Sequence, residues 1–125
     1  MPRRLRIQAG DVNATALMND SATAQAIWQA LPIQARASTW GDEIYFGIPV
    51  HQAVDNGVEV VSLGDIAYWP PGNAFCIFFG PTPMSRGDEI RPASAVNVVG
   101  RIEGDPKQFR RVASGARVVL DAVGD

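Results

Sequence analysis

The feature that most constrains this chain is a strict alternation of apolar and polar residues, cut at short intervals by Gly-Asp pairs. Leu5, Ile7 and Ala9 alternate with Arg4, Arg6 and Gln8. After Gly10-Asp11 the pattern resumes, with Val12, Ala14, Ala16 and Met18 on one side and Asn13 and Thr15 on the other. Successive side chains of a strand point to opposite faces, so this period predicts two half-buried strands joined by a tight turn. The same device separates Ile33–Trp40 from Glu43–Ile48 at Gly41-Asp42. Asp55-Asn56-Gly57 forms another turn, leading into a further strand at Val58–Leu63. Glycine supplies the positive φ of such turns and aspartate hydrogen-bonds locally to the backbone, so no metal is needed to explain the pairs. Many short strands at this spacing predict a mainly β chain that closes into a barrel or sandwich.

One segment departs from the period. Ala24, Ile27, Trp28 and Leu31 fall at i, i+3, i+4 and i+7, which predicts a helix over Asp20–Leu31. Asp20 or Ser21 caps its start, Pro32 disfavours helix at Leu31, and Trp28 should be buried where the helix lies on the barrel. A shorter helical turn is expected at Pro106–Arg111 behind Asp105. A last strand is expected at Arg117–Ala122, with Val118, Leu120 and Ala122 inward. The run Phe75–Phe79 is apolar at every position, the pattern of a central strand covered on both faces.

Composition sets the outer limits. A chain of 125 residues makes one domain, 1–125, and 46% apolar against 19% charged residues excludes wholesale disorder. Eleven basic against thirteen acidic residues give a net charge of -2, which is no footprint for nucleic acid. No apolar run approaches the roughly 18 residues of a membrane span. The basic start Met1-Pro2-Arg3-Arg4-Leu5-Arg6 lacks the apolar stretch of a signal peptide, so a cytoplasmic location is expected. One histidine and one cysteine predict neither a metal site nor a disulfide. Neither a phosphate-binding lysine loop nor a dinucleotide glycine fingerprint is present, so no cofactor is expected.

The aromatics concentrate in the middle: four of five phenylalanines and two of three tryptophans lie between Trp40 and Phe79. Thr39-Trp40-Gly41-Asp42-Glu43-Ile44-Tyr45-Phe46, Gly64-Asp65-Ile66-Ala67-Tyr68-Trp69-Pro70 and Phe78-Phe79-Gly80-Pro81-Thr82-Pro83 together resemble a family of small prokaryotic cyclophilin-like domains of unassigned function. The resemblance covers nearly the whole chain and implies a closed eight-stranded β-barrel with one or two capping helices. Asn97-Val98-Val99-Gly100-Arg101-Ile102-Glu103-Gly104 is similar to the cyclophilin segment that carries a pocket histidine, with Asn97 in the histidine's place. The cyclophilin Phe-His-Arg segment would align with Glu43–Phe46, where no arginine stands.

That departure bears on chemistry. Rotation about an X-Pro bond crosses a barrier of about 20 kcal/mol, and an enzyme lowers it by binding the twisted amide better than the planar one. The resemblance implies that an arginine donor supplies this difference in cyclophilins; here it would have to come from Arg36 or Arg91. The expectation is therefore a binding module, with Glu43, Tyr45, Phe46, Trp69, Phe78, Phe79, Thr82 and Asn97 as candidates to line an aromatic pocket. Its ligand would be a small molecule or an extended, proline-containing peptide. A divergent peptidyl-prolyl isomerase is the enzymatic alternative, and a scaffold that joins copies of itself through exposed aromatics is the third.

The plainer reading of the same aromatics is that they fill a small barrel. Glu43 has two readings: a carboxyl of raised pKa among aromatics, or a solvated side chain beside the Gly41-Asp42 turn. His51 with Asp55 reads as a surface pair, and Cys76 as an inert core thiol. Arg86-Gly87-Asp88, Asn13-Ala14-Thr15 and Asn19-Asp20-Ser21 match adhesion or glycosylation signals in letters only.

Overall fold

A computed structural model describes residues 3–123; Met1 and Pro2 of the basic start lie outside the described residues. The alternating segments form β1 (Arg4–Ala9) and β2 (Val12–Met18), paired antiparallel across Gly10-Asp11. Leu5, Ile7, Ala9, Val12, Ala16 and Met18 all face the core. Helix α1 (Ala22–Ala30) starts at Ser21, whose Oγ accepts the Ala24 N–H at 3.2 Å, and is shorter than the periodicity predicts. It packs Ala24 and Ile27 into the core. Trp28 is only half-buried: it packs against the margin of the core, and the Arg3 guanidinium lies 5.4 Å from its ring centroid.

The chain continues through β3 (Ile33–Arg36), β4 (Ser38–Thr39), β5 (Glu43–Gly47), β6 (Asp65–Trp69), β7 (Ala74–Phe78), β8 (Asn97–Ile102) and β9 (Arg117–Ala122). Short 3₁₀ turns occupy Pro70–Gly72 and Pro106–Arg111, the second capped by the Asp105 carboxylate as expected. The nine strands form one antiparallel sheet in the order β3-β9-β1-β2-β8-β6-β7-β5-β4. The two strands at the ends of that order are separated in the chain only by Ala37, which exchanges hydrogen bonds of 2.8 and 2.7 Å with Ala116 and Gly115. Counted as one bent strand, β3 and β4 close the sheet into the expected eight-stranded barrel.

Period two then sorts most strand residues to the inside or outside; β8 departs from it, with Val99 and Ile102 both in the interior core and a register shift against β6 at Ile66/Ala67. Leu5, Ile7, Ile44, Phe46, Ile66, Phe75, Ile77, Val118 and Leu120 fill the interior, joined by Phe109 from the 106–111 turn. Phe46 stacks on Phe75 at 5.4 Å and Phe79 meets Phe109 at 6.3 Å. The buried Tyr68 hydroxyl donates to the Val50 carbonyl at 2.6 Å and accepts from the Gln52 N–H at 3.2 Å, which pins the chain leaving β5. A second, smaller cluster lies on the outer face: Ala67, Ala74, Cys76, Phe78 and Val96, with Val61 and Ile90 from the loops above.

The strand expected at Val58–Leu63 does not form. That segment makes only two isolated bridges, Val58 to Val96 and Val61 to Ile90, because it runs across the outer face with Val60 and Leu63 exposed and no strand alongside. Among the described residues no helix is long and apolar enough to cross a membrane.

Candidate functional site

Strand β5 carries the chemistry of the outer face. Its alternation sends Ile44 and Phe46 into the barrel and leaves Glu43 and Tyr45 outside, above Phe78 and Cys76 of β7, with which they pair directly. The Gly41-Asp42 turn in front of β5 is held by the Gly-Pro-Thr-Pro segment. Asp42 N–H donates to the Pro81 carbonyl and Phe79 N–H to the Asp42 carbonyl, each at 2.9 Å. Gly41 is required there: its φ is +60°, and a Cβ would stand 2.9 Å from Pro83 Cδ. The two motif segments are thus one structural unit whose product is the placement of Trp40 and Glu43.

The loop after β7 supplies the opposite wall. Thr82 Oγ1 donates to the Arg91 carbonyl, and Ser85 Oγ accepts the N–H groups of Thr82 at 2.9 Å and Arg91 at 3.0 Å. Trp69 Nε1 donates to Ser94 Oγ at 2.7 Å and ties that wall to β6. Between sheet and loop, Trp40, Glu43, Tyr45, Trp69, Pro92, Ala93 and Val96 surround a cavity of about 300 Å³. Apolar walls around one strong polar group are the usual form of a small-ligand site.

Glu43 is that polar group, and it does not point to solvent. It is 5% exposed, and its Oε1 is buried without a hydrogen-bond partner. Burial, opposed by a hydrogen bond from the Cys76 thiol, pushes its carboxyl up to about 7. Burial and the neighbouring Glu43 carboxylate in turn push the Cys76 thiol up, so Cys76 stays a neutral core group. Arginines elsewhere are engaged: Arg91 pairs with Glu89 at 2.6 Å, Arg110 with Asp42 at 3.3 Å, and Arg36 donates to the Gly115 carbonyl at 3.1 Å.

Of the residues singled out in the sequence, Glu43, Tyr45 and Trp69 line the cavity. Phe78 is fully buried beneath it in the outer cluster. Phe46 and Phe79 belong to the interior core, each on the opposite face from a neighbour that faces out. Thr82 acts within the loop. Asn97 holds the scaffold: its Nδ2 donates to Thr23 Oγ1 at 3.1 Å and the Ala53 carbonyl at 2.9 Å, and its Oδ1 accepts the Asp55 N–H at 2.9 Å. Trp40, Pro92, Ala93 and Val96 were not anticipated; only Trp40, next to the Gly-Asp turn, carried a signal. His51 and Asp55 are exposed.

Comparison with known proteins agrees with this architecture. A family model described as Cyclophilin-like matches residues 3–121. The solution structure of a hypothetical protein from Archaeoglobus fulgidus is similar, with a TM-score of 0.83 and 44% identity over 98% of this chain and 95% of that one. No curated protein matches the chain.

Proposed function

This chain belongs to the cyclophilin-like family, and from that premise we propose that it is a binding module whose outer aromatic cavity takes a small ligand or a side chain of an extended peptide. The observation that carries this reading is the cavity of about 300 Å³ with one buried, unpartnered carboxylate oxygen at its wall. A polar atom left without a partner costs free energy that a bound donor would recover. The volume lies at the low end of the range of about 300–1,000 Å³ typical of ligand sites, suited to a single ring-sized group.

Prolyl isomerisation is the less supported reading. The seven lining residues include no arginine. Arg36 and Arg91, the two substitutes the sequence offers, are committed to the Gly115 carbonyl and to Glu89. The cavity's walls suit an apolar ring, but none of the seven lining residues is a cationic donor that would favour a twisted amide over a planar one.

An NMR titration with a panel of X-Pro peptides and small cyclic compounds tests both readings. Shifts at Trp40, Tyr45 and Trp69 without accelerated cis/trans exchange are the expected result. Faster exchange at substoichiometric protein would replace the binding reading with the isomerase. Silence across the whole panel would remove the cavity as a ligand site.

A further inference from the structure

Resting on the reading of the outer cavity as a ligand site, we propose that its ligand is a small organic amine, with one ammonium group on an apolar body, held by the Glu43 carboxylate among Trp40, Tyr45 and Trp69. Oε1 of Glu43 is buried with no hydrogen-bond partner, and the one donor beside the carboxyl is the neutral Cys76 thiol, so a ligand that brings a donor fills a gap in the site. An alcohol or amide would supply the hydrogen bond but leave the carboxylate's charge unpaired in an apolar wall. An ammonium supplies both the donor and the opposite charge, in a charge-assisted bond. Three aromatic side chains around the same space add the attraction of a cation for π-systems, which strengthens where water is excluded. An anionic ligand would meet the carboxylate's repulsion with no cation to offset it, since Arg91 and Arg110 are tied to Glu89 and Asp42.

The titratable groups facing Glu43 are few. Cys76 approaches from β7 and stays protonated, Tyr45 shares β5, and the remaining lining residues Trp40, Trp69, Pro92, Ala93 and Val96 do not ionise. An ammonium therefore binds the ionised Glu43 selectively, and its affinity follows the fraction of Glu43 that is ionised.

Benzylamine and benzyl alcohol share a ring and differ in the group offered to Glu43. Titrated into the ¹⁵N-labelled chain, benzylamine should shift the indole N–H signals of Trp40 and Trp69 and bind tighter than the alcohol. With Glu43 titrating at about 7, its affinity should rise about ten-fold from pH 6 to pH 8. Glu43→Gln keeps the shape and removes the charge; it should weaken benzylamine at pH 8 at least ten-fold, flatten the pH profile and leave benzyl alcohol unchanged. A free-amine peptide, Phe-Ala-Ala amide, and its N-acetyl form then separate a chain end from a free amine as the source. Equal binding of benzylamine and benzyl alcohol, or a Glu43→Gln variant that binds benzylamine as tightly as the parent, would overturn the ammonium while the indole shifts still upheld the cavity. Loss of the indole shifts with both compounds would overturn the proposal and the cavity together.

Discussion

The two faces of β7 are equally buried and yet chemically different. Phe75 and Ile77 turn into the barrel, where strands surround them on every side; Ala74, Cys76 and Phe78 turn outward, under two irregular loops. Inside, hydrogen-bonded strands fix the wall and aromatic rings close the space, as Phe46 on Phe75 does at 5.4 Å. Outside, the cover rests on isolated bridges, two proline-rich turns and a few side-chain bonds such as Trp69 to Ser94. A rigid sheet roofed by loops leaves room, and the cavity and the orphaned carboxylate are both on that side. Interior burial here closes the space, and exterior burial leaves a cavity.

Truncating the aromatic rings breaks the comparison hardest. Phe75→Ala should cost about 4 kcal/mol in urea denaturation, since the closed barrel cannot collapse onto the gap. Phe78→Ala should cost about 3 kcal/mol, because the loops above can settle. Equal losses would mean that the outer cover is as stiff as the barrel.

Next in size is the pH dependence of Glu43. Its folded value of about 7 lies above the ordinary 4.5, so the folded state holds the proton that the unfolded chain releases. Stability from this group is full below 4.5 and lost as pH rises through about 7. Relative to the parent, Glu43→Gln should gain about 3 kcal/mol between pH 4.5 and pH 8 in paired denaturation curves. A constant difference between the two would show that Glu43 is solvated.

The smallest effect probes the seam between the regions. Asn97→Ala strips partners from Thr23, Ala53 and Asp55, at a cost of about 2 kcal/mol. Hydrogen exchange should quicken at the Asp55 amide while the interior amides of β7 slow or hold relative to it. Uniform acceleration would make Asn97 part of the barrel's own stability.

The barrel was legible because alternation is a property of neighbouring residues. Gly10-Asp11, Gly41-Asp42 and the all-apolar Phe75–Phe79 placed turns, strands and the doubly covered strand. The same rule, applied to the site, would have separated Tyr45 from Phe46 and Phe78 from Phe79, which no regular strand presents on one face. Family resemblance grouped them by motif, and period two divides them. Pro92, Ala93 and Val96 were illegible for another reason: their role depends on where an irregular loop lands. Val58–Leu63 has strand composition, and it is left as a covering strap for want of a partner strand. Glu43 sits beside a turn in sequence, and what takes it out of water lies far along the chain: Phe78, its partner on β7, and the loop that brings Pro92 and Ala93 to the same cavity.

The closure at Ala37 has a consequence for assembly. Among the described residues, a sheet whose first and last strands run into each other through Ala37 has as its terminal strands only the four residues of β3 and the two of β4. Such stubs, with Gln34, Arg36 and Thr39 exposed, are too short and polar to template another chain. Those two terminal strands offer little backbone for another copy to extend the sheet.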